Sequence, residues 1–393
     1  MNRVAVIGGG AGGLAAALSA AREGASVFVL EARAKAGRKL LLTGSGRCNL
    51  APGASAEGAY HGDCPEVAER LLKEHKEELS AFFASCGIET RKIRDGYYPR
   101  SEDAADVLKL LLAACAREGV KLHTNTPVIR ISKEADIFRI HTPSYVYEAD
   151  IVILACGSAA GMPEKEVPEG YALACSLGHG FHPVRPALVP LVMSGLPFPK
   201  LSGCRVRASL RLFIDQKPAG EGSGQIQFTE YGLSGIAALD LSGRAGDGIL
   251  RGEDTRISLD LFPEMEEAEL TDLLAQRIKD LGEEGILTGL LPEKAAKYFQ
   301  TVYREEGSDG AKTAHLMKQC LLKAEGLRPM RQAQVVAGGI SCGEVREDTF
   351  ASAVCPGLYI CGEMLDVDGI CGGFNLAFAF LGGIAAGKGA AHA

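Results

Sequence analysis

The sequence lacks several features that mark common protein classes. It has no tryptophan, and its twelve cysteines are scattered through 393 residues without a Cys-x-x-Cys pair, which disfavours a disulfide framework and predicts reduced thiols in the cytoplasm. No run of 18 apolar residues is present, and the chain starts without a signal-peptide pattern, so we expect neither a membrane span nor export. The net charge, 42 − 49 = −7, disfavours nucleic acid as a partner.

Glycine, by contrast, is abundant. The chain has 49 glycines, well above the usual share of ~7%. Apolar residues make up 47% and charged residues 23%, which is the composition of a globular protein. At about 150 residues per domain, this length predicts two to three domains or one large composite domain. The high glycine content indicates that at many positions the backbone packs closely against a neighbouring segment or adopts a positive φ.

Three of these glycines form a nucleotide-binding motif at the start of the chain. A short apolar strand, Val4–Ile7, runs into Gly8-x-Gly10-x-x-Gly13, which opens a helix. The next buried strand ends at Glu31, about 20 residues after Gly10. Gly8 permits a tight turn, Gly10 lets a pyrophosphate approach backbone N–H groups, and Gly13 lets the helix pack on the strand. Glu31 would accept hydrogen bonds from a ribose diol, but the motif does not separate NAD from FAD.

The middle of the chain differs in pattern from its two ends. Between Ala208 and Leu261, short β-like runs are separated by glycine-rich turns, and from Glu264 to Lys323 the pattern is helical. Buried-strand patterns return at Leu358–Ile360, followed by an apolar helix that starts near Gly373. We therefore predict an α/β protein with a discontinuous Rossmann-like FAD-binding domain, an inserted β-barrel and a small helical subdomain. The predicted limits are 1–191 with 332–393 for the FAD-binding domain, 192–262 plus about 323–331 for the barrel, and 263–322 for the helical insert.

Two further motifs favour FAD. The segment Gly37–Asn49 follows Glu31 closely and combines glycines, three cations and a thiol where an FAD-type fold reaches the flavin ring. The segment Gly369–Asn375 opens the C-terminal helix, whose N-terminus can face the pyrimidine edge of a flavin. Just before it, Glu363 or Asp366 would hold ribityl hydroxyls.

Segments along nearly the whole chain resemble one family. They are Gly37–Asn49, Pro186–Leu191, Phe228–Gly235, Gly338–Ile340 and Gly362–Asn375. Together they resemble the bacterial NAD(P)/FAD-dependent oxidoreductases that are similar to aminoacetone oxidase and the bile-acid dehydro-intermediate reductase. The resemblance implies a glutathione-reductase-type FAD fold, interrupted by barrel and helical inserts, with FAD bound non-covalently. The chain departs from the usual family residues at Ser45, Cys156, Cys371 and Phe374.

The motifs and the resemblance together imply a cofactor site made mainly from loop residues. The predicted cofactor-binding residues are Gly8, Gly10, Ala11, Gly12, Gly13, Glu31, Ala32, Arg38, Lys39, Ser45, Gly46, Asn49, Val128, Ala155, Cys156, Gly157, Gly362, Glu363, Asp366, Gly372, Gly373, Phe374 and Asn375.

Candidates for chemistry beyond cofactor binding are few. Arg47 and Cys48 are candidate catalytic residues, and Arg47 would lower the pKa of the Cys48 thiol. The next cysteine is Cys64, so the Cys-x4-Cys disulfide of related reductases is absent, and the alternative is that Cys48 packs as a small residue near the ring. His179 and His182 have no carboxylate or cysteine partner nearby in the sequence, so we expect structural or surface roles and no metal site.

The expected function is that of an FAD-dependent oxidoreductase. Hydride would pass between the flavin and a small or medium organic substrate, with NAD(P)H as a transient electron donor for reduction of an enone or dehydro-steroid-like C=C bond. No second Gly-x-Gly-x-x-Gly follows a strand, so a separate NAD(P) domain is missing. The alternatives are an amine or aminoketone oxidase that uses O₂, and a flavoprotein binding platform for RNA modification. Tyr97 and Tyr231 are the candidate substrate-contacting residues, a turn aromatic being the alternative for Tyr97; the oligomeric state stays open.

Overall fold

A computed structural model describes residues 2–162 and 169–393 and divides them between two compact units. The Rossmann unit runs up to Val184 and resumes at Val335–Ala393, and the barrel unit is Arg185–Gln334. The sequence assigns the segment 185–191 to the FAD-binding domain, but in the structure this segment belongs to the barrel unit, where an ion pair and a hydrogen bond hold it. Arg185 Nη2 lies 2.5 Å from Asp247 Oδ1, and the Val189 N–H donates to Ser242 Oγ at 3.1 Å.

The Rossmann unit contains most of the short strands of the chain. Its N-terminal part contains β1 (Arg3–Ile7), α1 (Ala11–Arg22), β2 (Ser26–Leu30), a 3-10 segment (Leu40–Gly46), β3 (Ala51–Pro52), β4 (Tyr60–Gly62), α2 (Pro65–Ser85), β5 (Thr90–Ile93), β6 (Gly96–Pro99), α3 (Ala104–Arg117), β7 (Lys121–His123), β8 (Arg130–Glu134), β9 (Ile137–His141), β10 (Val146–Ala149), β11 (Ile151–Leu154), α4 (Glu169–Ser176) and β12 (Phe181–Ala187), which continues into the barrel unit.

The barrel unit is smaller and follows directly in the chain. It contains β13 (Leu191–Ser194), α5 (Phe198–Leu201), β14 (Arg205–Ile214), β15 (Lys217–Thr229), β16 (Gly232–Ser234), α6 (Ile236–Leu250), β17 (Thr255–Asp260), α7 (Glu267–Gly285), α8 (Glu293–Glu305), α9 (Gly310–Lys318), β18 (Cys320–Leu327) and a 3-10 turn (Met330–Gln332). The C-terminal part of the Rossmann unit adds β19 (Val335–Ile340), β20 (Leu358–Ile360), β21 (Val367–Gly369), α10 (Phe374–Ala391) and 3-10 turns at Cys342–Glu344 and Gly362–Met364.

A parallel sheet forms the centre of the Rossmann unit. Its strand order is β20-β11-β1-β2-β7, and every neighbouring pair is parallel. Helices α1 and α10 pack on one face of the sheet, and the antiparallel sheet β10-β9-β8 packs on the other, so inner-strand residues such as Val4 and Val152 are fully buried. The order brings the C-terminal strand β20 next to β11, which itself pairs with the N-terminal β1. The predicted discontinuous Rossmann-like fold is therefore confirmed.

Glycine allows helices α1 and α10 to pack with their backbones in close approach. A Cβ on Gly383 would lie 2.2 Å from the Gly12 carbonyl oxygen, and one on Gly387 would lie 2.3 Å from the Ala16 carbonyl oxygen. Helix α10 is long and apolar enough to cross a membrane by length and composition alone, yet 67% of that stretch is buried inside the protein. The contacts with α1 identify α10 as a core helix of this unit.

The barrel unit contains a closed six-stranded barrel with the order β13-β16-β15-β14-β17-β18. Alternate residues of its strands face inward, so Leu210, Phe228 and Leu259 are fully buried. Helices α7 to α9 supply a helical layer that shares the same core. The predicted inserted barrel with helices is confirmed.

One element of the barrel unit was missed from the sequence. The glycine-rich segment interpreted as turns contains helix α6, whose glycines are buried. A Cβ on Gly248 would lie 2.5 Å from Thr255 Oγ1, and one on Gly246 would lie 2.7 Å from the Leu327 side chain. These glycines permit close helix packing on strands, and the turn interpretation of this segment was wrong.

Candidate functional site

In the glycine turn between β1 and α1, two glycines are packed against backbone atoms and a third has free space beside it. A Cβ on Gly8, whose φ is +107°, would lie 2.4 Å from the Ala155 carbonyl oxygen, and one on Gly13 would lie 1.9 Å from the Gly8 carbonyl oxygen. On Gly10 it would meet no described atom within 4 Å. Gly10 is also the N-cap of α1, and no described side chain caps it. The open end of the helix thus offers N–H groups to an anion, as a pyrophosphate requires.

The carboxylate of Glu31 is held beside this turn by backbone donors. Its Oε2 accepts from the Gly9 N–H and its Oε1 from the Arg33 N–H, both at 2.8 Å. Each oxygen keeps a further lone pair, so the oriented carboxylate can still accept from a ribose diol. The loop that contains Val128 is joined to the same strand end, since the Thr126 N–H donates to the Glu31 carbonyl at 2.9 Å. Val128 is buried and the predicted neighbour Ala32 is exposed.

A polar cluster joins the N-terminal and C-terminal parts of the unit. Lys39 Nζ donates to Glu363 Oε2 at 2.5 Å and to Ser158 Oγ at 3.3 Å, and Ser158 Oγ donates to the same Glu363 oxygen at 3.2 Å. Glu363 Oε1 has no partner within the described residues. Sequence reasoning named Lys39 and Glu363 separately and missed Ser158, because only the fold brings the three together.

The strand end before Ser158 lies under the glycine turn. Cys156 Sγ contacts the Ile7 carbonyl at 3.4 Å, and the Cys156 N–H faces Met364 Sδ at 3.2 Å. Gly157 has a φ of +75° and open space at its Cβ position. The predicted residues Ala155, Cys156 and Gly157 therefore adjoin both β1 and the turn that carries Gly362 and Glu363.

Asn49 has the clearest unsatisfied polar atom of this region. Its Oδ1 is buried and has no hydrogen-bond partner in the described part of the chain. The side chain lies between Gly96 and Gly373, where an added Cβ would come within 2.6 Å and 2.9 Å of Oδ1. Buried acceptors in folded proteins are almost always paired, so a donor from a bound group fits here.

The N-terminus of α10 lies beside Asn49. Gly373, its N-cap, has a φ of +97°, and Gly372 has a φ of +128°. Asn375 bonds both backbone groups of Gly369, accepting from the N–H at 2.8 Å and donating to the carbonyl at 2.6 Å. Asn375 thus shapes the loop, while the backbone of Gly372 and Gly373 presents the helix end. Phe374 is buried with its ring edge-on to Tyr60.

The loop that precedes Asn49 is exposed at its tip. Arg38, Ser45 and Arg47 are exposed, and Gly46 is partly buried. Gly44, Ser45 and Gly46 all have positive φ, so the loop folds back sharply before Cys48. No described partner holds Arg38 in place.

Cys48 does not have the properties of a reactive thiol. Its side chain is fully buried, and burial raises the pKa of the thiol to about 11. The Arg47 guanidinium lies away from it, 5.1 Å from the Tyr98 ring centre and 3.4 Å from Glu102 Oε2. The expectation that Arg47 lowers the pKa of Cys48 was wrong, and the alternative of a small packing residue fits the structure.

Asp366 has partners that sequence reasoning did not foresee. Its Oδ1 accepts from the Gly338 N–H at 3.0 Å, and its Oδ2 lies 2.7 Å from His182 Nδ1. Glu363 therefore remains the better of the two acidic candidates for ribityl hydroxyls. The hydrogen bond to Asp366 raises the pKa of His182 above its ordinary value.

The two histidines do have carboxylate partners, contrary to expectation. His179 is buried with Nδ1 3.0 Å from Glu344 Oε2 and Nε2 2.7 Å from Ser352 Oγ, and His182 pairs with Asp366. Residues 2–162 and 169–393 contain no group of three side chains that could hold a metal ion. These partners lie more than 150 positions away in the sequence, so no local pattern could have indicated them.

The two candidate substrate residues lie in different units. Tyr97 is in β6 of the Rossmann unit, where the Leu50 N–H donates to its carbonyl at 2.8 Å and Lys76 Nζ lies 5.1 Å from its ring centre. Tyr231 precedes β16 of the barrel unit and is partly buried. Tyr97 directly follows Gly96, the residue that lies against the Asn49 side chain.

A family model described as the HI0933-like protein Rossmann domain matches residues 2–389. The chain belongs to this family. It is 39% identical over 408 residues to the 3-dehydro-bile acid delta(4,6)-reductase of Clostridium scindens, with all of both chains covered. It is 24% identical over 392 residues to the ribosomal RNA dihydrouridine synthase of Escherichia coli, covering 95% of this chain and 94% of that one.

The fold also matches a solved structure of low sequence identity. The 3-ketosteroid delta1-dehydrogenase from Sterolibacterium denitrificans superposes with a TM-score of 0.55 at 13% identity, and the match covers 100% of each chain. At that identity the likeness concerns the fold alone. Membership in the HI0933-like family confirms the family resemblance read from the motifs. The individual site residues stay predictions.

Proposed function

We propose that this protein is an FAD-dependent reductase that adds a hydride, and a proton from solvent, to a C=C bond conjugated to a carbonyl in a steroid-like substrate, with NAD(P)H as electron donor. The observation that carries the proposal is the open helix end at Gly10 beside the oriented Glu31 carboxylate. Support for the substrate class comes from the reductase of Clostridium scindens, which is 39% identical along its whole length.

The coarser part of this function is a property of the family and fold. The chain is an enzyme of the oxidoreductase class, a flavoprotein with a Rossmann nucleotide-binding fold. The finer parts, the electron donor and the substrate, are our proposal.

The residues present fit FAD in three places. The α1 end at Gly10 would take the pyrophosphate, Glu31 the adenosine ribose, and the unpaired Asn49 Oδ1 a donor on the flavin. Lys39 would meet phosphate charge while Glu363 Oε1 accepts from a ribityl hydroxyl. Once reduced by NAD(P)H, bound FAD would supply the hydride for the reduction. The uncapped N-terminus of α10 at Gly373 would favour negative charge that develops on the ring.

Two alternatives use the same cofactor. An amine or aminoketone oxidase would pass electrons to O₂, and a flavoprotein platform for RNA modification would bind polynucleotide. The 24% identity to the ribosomal RNA dihydrouridine synthase indicates which RNA modification the second alternative would concern. Against it stands the net charge of −7, since RNA binding draws on clustered basic residues.

The proposal is tested with the purified holoprotein. Denaturation should release FAD and no FMN, and anaerobic mixing with NADH or NADPH should bleach the flavin. Addition of a 3-oxo-4,6-diene steroid acid should then restore the oxidised spectrum. Reoxidation by O₂ or an amine-dependent cycle, with no response to the steroid, would favour the oxidase.

A variant pair checks the cofactor assignment. Glu31→Lys should weaken FAD binding by roughly 2–4 kcal/mol, because a charge-assisted hydrogen bond is removed and its partner left unpaired. Glu31→Gln keeps an acceptor for the Gly9 N–H and should lose less. Equal FAD affinity in the parent and Glu31→Lys would contradict the ribose assignment.

A further inference from the structure

We propose that Arg328 and Tyr231 form a binding site on the barrel unit for an ionised organic acid. The inference goes beyond the proposed function, because it adds a ligand site that the barrel unit forms by itself, and the side-chain acid of a steroid is one ligand of the right chemistry. Its ligand chemistry is a planar organic carboxylate.

The site is formed by residues that flank the same barrel strand. Strand β13 pairs with β16 on one side and with β18 on the other. Tyr231 precedes β16, and its carbonyl accepts from the Met193 N–H at 2.9 Å, while Arg328 follows β18 and its N–H donates to the Pro190 carbonyl at 3.0 Å. Backbone hydrogen bonds to Met193 of β13 and to Pro190 just before it therefore fix the backbones of the two residues relative to each other.

The side chain of Arg328 is oriented by two contacts. Its Cζ lies 4.2 Å from the centre of the Tyr231 ring, which is a cation–π contact. Its Nε donates to Gln332 Oε1 at 3.1 Å. A guanidinium held on a ring face and through Nε keeps its plane, and the N–H groups of its two terminal nitrogens are left for a ligand.

These terminal nitrogens have no carboxylate partner within the described residues. Five other arginines of the barrel unit do pair with a carboxylate: Arg185 with Asp247, Arg211 with Glu221, Arg251 with Glu253, Arg256 with Asp254 and Arg304 with Glu284. Arg328 is partly buried and held in place, yet its charge is not neutralised by an acidic side chain. A held guanidinium with free N–H groups is what bidentate recognition of a carboxylate requires.

The orientation also affects the strength of binding. A free arginine must lose side-chain freedom when it binds an anion, whereas Arg328 has already lost part of it through Tyr231 and Gln332. Lysine would keep the charge but not the planar fork or the stacking. The site therefore predicts different outcomes for charge-removing and charge-keeping substitutions.

The test measures binding by calorimetry with the holoprotein and two probes, a saturated steroid carboxylic acid and its methyl ester. The parent should bind the acid at least tenfold more tightly than the ester. Arg328→Gln should weaken the acid about tenfold and leave the ester within twofold, and Arg328→Lys should fall between. Tyr231→Leu should weaken the acid severalfold, whereas Tyr231→Phe keeps the ring and should change little.

Arg207→Gln is the matched control, because Arg207 is exposed on β14 and its loss changes the net charge equally. This variant should bind both probes as the parent does. Equal binding of acid and ester by the parent, or an Arg328→Gln effect that is the same for both probes, would overturn the site. Tight, Arg328-dependent binding of the acid without any steroid reduction would instead support the site and refute the proposed reaction.

Discussion

Gly10 and Gly13 belong to one motif, and the structure predicts opposite effects when each becomes alanine. A Cβ on Gly13 would lie 1.9 Å from the Gly8 carbonyl oxygen, a backbone atom that cannot move without separating α1 from β1. We expect Gly13→Ala to lower the free energy of unfolding by roughly 3 kcal/mol, the upper end for overpacking in a core. In a unit of this size, that change corresponds to a decrease in Tm of roughly 6–12 °C.

Gly10→Ala should leave the fold intact. Gly10 has φ −82° and ψ −170°, which alanine adopts without strain, and its Cβ would meet no described atom within 4 Å. The apoprotein should keep its stability or gain about 0.4–1 kcal/mol from a less flexible unfolded chain. The new methyl group would occupy the place of the pyrophosphate, so FAD should bind at least tenfold more weakly, a loss of about 1.4 kcal/mol.

Thermal melting of apoprotein and holoprotein, with a fluorescence titration of FAD, separates the two effects. Gly326→Ala is the control, since its Cβ also meets nothing described within 4 Å and it lies in the barrel unit. It should change neither property beyond the ordinary effect of a glycine-to-alanine substitution. Parent-like FAD affinity in Gly10→Ala would refute the assignment of the pyrophosphate to this helix end.

Three further predictions follow from other contacts. At pH 8, thiol reagents should label the exposed Cys175 in the native protein and spare Cys48, whose pKa is raised to about 11; prompt labelling of both would contradict the buried position. The His182 pKa, followed by NMR, should fall in Asp366→Asn. Because folding raises this pKa, the stabilisation from the pair of charged His182 with Asp366 should be full below about pH 6.5 and be lost as the pH rises through the folded value. A parent–variant difference in stability that grows with pH would have the wrong sign. Gly383→Ala should destabilise the protein through the Gly12 carbonyl, and an unchanged Tm would show that α10 can shift away from α1.

The sequence alone was sufficient for the features that depend on neighbouring residues. The βαβ unit follows from an apolar run, a glycine turn and a second apolar run, and each glycine role can be inferred from its place in that short pattern. Hydrophobic patterns also separated the Rossmann unit from its insert. Helix α6 was not predicted, because glycines in a sequence usually indicate a turn. In the fold, the glycines of α6 let the helix pack closely on the neighbouring barrel strands.

Only the tertiary structure determined how charges and thiols are paired. Lys39 meets Glu363, His182 meets Asp366, and Arg328 meets Tyr231 across long stretches of chain. The same holds for Cys48, whose neighbour Arg47 suggested activation while burial raises the pKa of its thiol. Local patterns depend on backbone geometry over a few residues, but a pKa or an ion pair depends on whichever groups the fold brings within a few ångströms, and on how much water it removes.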